Sequence, residues 1–130
     1  MLLSAVIGGR AQAVLSYPRG PTCYAATAVA DEVGRYIPVL AKRRGLDQHL
    51  LTAAYRVLPV IWHEPERYAP FEADARQRLA GRDEDDWPTL ALALALDLPV
   101  WTQDKDFGVA GVPTYTTGQL LDALRSLGDR

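Results

Sequence analysis

Residues 89–98, reading TLALALALDL, are apolar on every face of a helix as far as Leu96, and a segment of that kind is stable only when surrounded by other elements. The pattern alternates, but alanine and leucine are among the strongest helix formers, so a buried helix is expected rather than a strand. Pro88 suits a first helical turn, where its missing N–H costs nothing. Asp83, Glu84, Asp85 and Asp86 precede it, where the positive end of the helix dipole favours negative charge. A chain of 130 residues buries about 65–70% of its unfolded surface on folding, enough for a core without a metal or disulfide staple. Cys23 is the only cysteine, which excludes a disulfide scaffold.

The remaining sequence supplies what could cover such a helix. Leu2 to Ile7, closed by Gly8 and Gly9, reads as a buried strand leading into a helix over residues 10–15. Pro18, Gly20 and Pro21 mark a turn. Val29, Val33, Tyr36, Ile37 and Leu40 then recur at helical spacing, with Pro38 expected to kink or split the helix and Gly45 to cap it. A helix is expected over 46–55, a buried strand over 57–62 with Pro59 awkwardly placed, and a polar helix over 65–79 ending at Gly81. Strands are expected over 99–102 and 112–115, then a last helix over 118–127 with Thr116 and Gln119 as a capping box. Helices alternating with short apolar strands imply an α/β sandwich with a mainly parallel sheet, formed as one domain over residues 1–130.

The opening segment MLLSAVIGG carries no basic residue and reaches Arg10 before a signal-peptide core or a membrane span could be completed. Together with the single cysteine this makes the cytoplasm the expected location, with no membrane partner. A formal charge of -2 argues against coating duplex nucleic acid through bulk positive charge.

Chemistry concentrates in the acids. Asp86 opens the buried helix, and Asp104 and Asp106 lie just beyond the next strand in WTQDKDF, where open parallel sheets place their sites. A helix running antiparallel to a returning strand brings its amino terminus near that strand's end, so acids eighteen positions apart in sequence can converge. Glu32, one turn into an earlier helix, joins them if that helix end faces the same edge. Converging carboxylates raise one another's pKa unless a cation lies between them, and oxygen ligands suit Mg²⁺ or Mn²⁺. Each acid also has an ordinary explanation: a solvated helix start for Asp83 to Asp86, turn residues for Asp104 and Asp106, a surface helix position for Glu32.

The stretch DEDDWPTLALALALDLPVWTQDKDFGVAGVPTYTTGQLLDAL resembles the carboxy-terminal half of a PIN domain, the RNase H-like nuclease fold of VapC-type toxins and related bacterial proteins. The family pattern has an aspartate opening a hydrophobic helix, a T-x-D-x-D-F type segment after the next strand, and a glutamate from an earlier helix. Asp86, Thr102, Asp104, Asp106, Phe107 and Glu32 occupy the matching positions. The match is strongest over residues 82–124, weaker over 1–45, and rests on helix count between 46 and 81. It implies a three-layer sandwich with a mainly parallel central sheet. It further implies Mg²⁺ or Mn²⁺ held by Glu32, Asp86 and Asp104, with Asp106 completing the catalytic set, and cleavage of single-stranded RNA. Arg10, Arg43, Arg44 and Thr102 are the residues expected to meet that RNA, with Lys42 and Arg82 as further basic candidates; Lys42 to Arg44 equally suit a helix carboxyl end. An antitoxin protein and a second copy of the chain are the partners such a family suggests. PIN domains also draw a metal-binding aspartate from an Asp-x-Asn type segment on their first strand. Aligned on LLSAVIGGRA, that position falls ahead of Met1, so the first carboxylate here is Asp31, and a catalytically impaired module that binds RNA or a protein is the rival reading.

Other motif matches fail. Asp104-Lys-Asp106 echoes the paired aspartates of haloacid-dehalogenase-type phosphatases, but that motif precedes most of its domain and here only 24 residues follow. Asp106-Phe-Gly108 spells a kinase metal triplet without the glycine-rich loop or catalytic segment of a kinase. A calcium loop begun at Asp83 has Pro88 and Leu94 at its sixth and twelfth positions. His49, His63 and Cys23 have no zinc spacing, and Cys23 reads as a small buried residue.

Overall fold

A computed structural model describes residues 14–15, 17, 22–57, 59–102 and 106–128, without the side chains of residues 106, 127 and 128. The expected strand over 2–7 lies outside these residues. Of the expected helix after it, Val14 and Leu15 are described, both helical and buried. Two compact units divide the chain: Met1–Cys23, Ala30–Val60 and Thr117–Arg130 make the first, and Tyr24–Val29 with Ile61–Thr116 make the second.

In the first unit the long helix α1 (Thr27–Arg44), whose first three residues belong to the second unit, buries Val33, Ile37 and Ala41 at intervals of one turn. It passes through Pro38 as one helix, so the split expected as one outcome does not occur. The proline ring presses on the carbonyl four residues back, here Gly34, whose backbone carries no side chain to resist adjustment. Gly45, at φ 65°, ends α1, and the Leu46 N–H closes the turn on the Ala41 carbonyl at 2.9 Å, as expected of a left-handed glycine cap. Asp47 then starts α2 (Gln48–Arg56), accepting a 2.8 Å hydrogen bond from the His49 N–H. The last helix of the chain, Thr117–Gly128, buries Thr117, Leu121 and Leu124.

The second unit holds the apolar cluster. Strand β1 (Cys23–Ala26) pairs with β2 (Val60–His63), both starting at a residue of the first unit. β1 falls where only a turn leading into a helix is expected, and β2 starts after Pro59, which has no N–H for a ladder. The polar helix expected over 65–79 is three pieces: α3 (Pro65–Tyr68), a 3-10 turn (Ala69–Phe71) and α4 (Glu72–Arg78). Pro70 is the cause, since it removes a donor and clashes with the preceding turn. A second 3-10 turn (Glu84–Asp86) leads into α5 (Trp87–Leu96), the buried apolar helix. Pro88, Leu90, Ala91, Leu92 and Ala93 are all buried, and α5 packs on α3, α4 and β3 (Val100–Trp101).

β3 pairs in parallel with β4 (Thr114–Tyr115), Val100 opposite Thr114 and Trp101 opposite Tyr115. A short helix α6 (Asp106–Val109), absent from the sequence expectation, lies between them, and α7 (Thr117–Gly128) follows β4. Leu79, Leu90, Val100, Phe107, Ala110 and Val112 share one core with Tyr68 and with Ala91, Leu92 and Ala93 of α5. The described residues therefore form an α/β structure with short strands, at least one pair of them parallel. Arg78 ties α4 to the loop after α6, its Nη1 donating to the Ala110 carbonyl at 3.1 Å.

Candidate active site

Four acids precede α5, and they divide the work. Asp83 opens the 3-10 turn and caps it, accepting the Asp85 N–H at 3.2 Å. Asp86 ends the turn with φ -81° and ψ 5° and is the residue from which α5 departs, but its carboxylate makes no capping hydrogen bond to that helix. A cap would be sought from the second or third N–H of the helix, and Pro88 has removed one of those donors. Asp86 is half-buried, whereas Asp83, Glu84 and Asp85 are exposed.

Across the same unit, the T-x-D-x-D-F segment is anchored at each end. The Thr102 N–H donates to the Tyr115 carbonyl at 3.0 Å, extending the β3–β4 ladder by one bond, and Thr102 is half-buried. Phe107 is buried in the core. Asp104 lies outside the described residues, and Asp106 is described only as the first backbone residue of α6.

The other expected site residues lie in the first unit. Glu32 is exposed on α1, one residue before the buried Val33. Lys42, Arg43 and Arg44 form the exposed last turn of α1, the position at which cations complement the negative helix end. Arg10 lies outside the described residues, and Arg82, in the second unit, is exposed. Among the described residues no three His, Cys, Asp or Glu side chains gather into a group that could hold a metal. Cys23 is half-buried, and burial pushes its thiol pKa up, so it is poorly suited to nucleophilic or metal chemistry.

One feature beside Asp86 is absent from the sequence reading. Trp87 packs against the buried Tyr68, ring centres 5.8 Å apart and tilted by 56°, and the Arg76 guanidinium lies over the Trp87 ring at 5.1 Å. Glu72 holds Arg76 from one turn earlier, its Oε2 accepting from Nε at 2.7 Å. The Glu72–Arg76 spacing is legible as a helical ion pair. Its approach to Trp87 depends on how α4 meets α5, which no local pattern encodes.

A family model described as PIN domain matches residues 1–125. Comparison with curated proteins and with solved structures gave no match.

Proposed function

Because the chain belongs to the PIN domain family, whose members are nuclease-type proteins that generally use divalent metal ions and bind RNA, we propose that it is a metal-dependent endoribonuclease acting on single-stranded RNA. The observation that carries this reading is Asp86: a half-buried carboxylate at the start of a wholly apolar helix, not spent on capping that helix. The cap at this junction is made by Asp83 instead.

The proposed ligands Asp86, Asp104 and Glu32 offer only carboxylate oxygens, a donor set that fits Mg²⁺ or Mn²⁺ and not a soft metal. When bound, such an ion lowers the pKa of a water and offsets the charge that develops on a phosphate during in-line displacement. Asp86, at a fixed backbone junction, orients its oxygens without help from a flexible stem. Asp106 adds a further carboxylate to the set. Thr102, with Arg10, Arg43 and Arg44, positions the RNA strand, the basic residues meeting its phosphates. The three-layer sandwich with a central parallel sheet belongs to the same reading, supported by the parallel β3–β4 pair.

The test is cleavage of a labelled single-stranded RNA in Mn²⁺ or Mg²⁺, with and without EDTA, by the wild type and by Asp86→Asn. EDTA-sensitive cleavage lost in the variant upholds the reading. RNA bound equally well by both proteins and cleaved by neither assigns a binding module instead. Roles as the toxin of a toxin–antitoxin pair, as a homodimer and in the cytoplasm extend the proposal; co-purification with the product of a neighbouring gene and light scattering address the first two. No described helix is long and apolar enough to cross a membrane.

A further inference from the structure

The geometry points to a nucleobase-stacking subsite on the Arg76 guanidinium, beside Asp86, that takes one unpaired base of the RNA strand. The inference rests on the ribonuclease reading above and names a contact that reading does not contain.

Three observations converge on it. First, the guanidinium is held in place from two sides, by Glu72 at its Nε and by the indole of Trp87 beneath it. Second, the half-buried Trp87 ring is itself held by the buried Tyr68, so the support under the guanidinium is packed against the core. Third, the Arg76 side chain retains 45% of its surface in solvent. An arginine fixed on an aromatic ring and still nearly half exposed can serve as a platform of the kind that unpaired bases stack upon.

The local charge favours a base over a phosphate. Glu72 already balances Arg76, so the site offers a planar, polarisable surface with little net positive charge, whereas a phosphate is drawn to uncompensated cations. Trp87 follows Asp86 directly in the chain, which places the platform next to the proposed chemistry. A base stacked there would fix the position of the strand relative to Asp86.

The experiment measures kcat and KM for a short single-stranded RNA in Mn²⁺, using wild type, Arg76→Lys and Arg76→Ala, with a single abasic position scanned along the substrate. Lysine keeps the charge and loses the plane. The expected result is a KM raised about tenfold in both variants with kcat unchanged, the signature of lost uniform binding. One abasic position should cost the wild type about the same factor and cost neither variant anything further. If Arg76→Lys behaves as wild type, or if every abasic position costs the variants what it costs the wild type, the subsite is refuted while the ribonuclease reading stands. If the wild type shows no metal-dependent cleavage of RNA, both fall together. Melting temperatures of the two variants within a few degrees of wild type are expected, because an exposed cation–aromatic contact contributes little to stability.

Discussion

Arg78 donates from Nη1 to the backbone carbonyl of Ala110, 3.1 Å away and 32 residues later in the chain. Its Nε is meanwhile held by Asp74, one turn earlier on α4, at 3.0 Å. The two bonds differ in kind, because one fastens distant parts of the fold and the other joins neighbours on an exposed helix. Arg78→Met should therefore cost about 1–2 kcal/mol, as a charged donor leaves a carbonyl in a part-buried setting unsatisfied. Asp74→Ala should cost less than about 0.5 kcal/mol, the range of exposed ion pairs one turn apart. Urea unfolding of both variants checks the contrast; equal losses would mean that the Ala110 carbonyl is satisfied from elsewhere.

Asp97 holds the left-handed position after α5, with φ 54° and ψ 49°, and the Leu98 N–H returns to the Ala93 carbonyl at 3.0 Å. Gly45 performs the same turn after α1, where the conformation carries no side-chain cost. Asp97 bears both that cost and a negative charge at the negative end of a helix. Asp97→Gly is expected to stabilise the protein by about 0.5–1 kcal/mol and raise the melting temperature by a few degrees. A fall in melting temperature would reveal a stabilising contact of the Asp97 carboxylate.

The neighbouring acids Asp83 and Asp86 should give opposite phenotypes. Asp83→Ala removes the bond to the Asp85 N–H and is expected to cost about 0.5–1 kcal/mol while leaving RNA cleavage intact. Asp86→Asn should leave the protein folded and reduce cleavage to the level seen in EDTA. It should also abolish the rise in melting temperature produced by saturating Mn²⁺, which at a hundred times its dissociation constant amounts to about 2.7 kcal/mol. A Mn²⁺ shift that persists in Asp86→Asn would put the metal at other residues.

Much of this arrangement is legible in sequence where a strong local signal and the tertiary structure agree. The apolar run of α5, Pro88 in its first turn, Asp86 at its start and Gly45 at the end of α1 are all of that kind. Prolines mislead in both directions. Pro70 breaks the helix expected over 65–79, whereas Pro38 leaves α1 whole, because what matters is whether the preceding turn can adjust. The strand at Cys23–Ala26, reading CYAA, has no β-branched residue and owes its conformation to pairing with β2. The contact of Arg76 with Trp87 escapes a reading of the sequence for the same reason, since it exists only once α4 has packed on α5.

Alkaline pH should weaken the fold through Tyr55. Burial, and then the negative charge of Asp31, push its phenol above the ordinary value. The folded state thus keeps a proton that the unfolded chain gives up, and stability present below about pH 10 is lost as pH rises through the unfolded and then the folded pKa. Comparing urea midpoints at pH 8 and pH 10.5 in wild type and Tyr55→Phe isolates this contribution, and the variant should show the shallower decline. Parallel declines would assign the alkaline loss to other groups.

The two units can also be observed separately by spectroscopy. Trp62, Trp87 and Trp101 all fall within Ile61–Thr116, so every indole of the chain reports from the second unit. Intrinsic fluorescence excited at the tryptophan band is therefore blind to local events in the first unit, where most of α1, all of α2 and the Tyr55 phenol reside. Far-ultraviolet circular dichroism follows the helices of both. Superimposed melting curves from the two signals would establish one cooperative transition. At alkaline pH, ellipticity lost ahead of any change in emission would trace the first loss of order to the first unit.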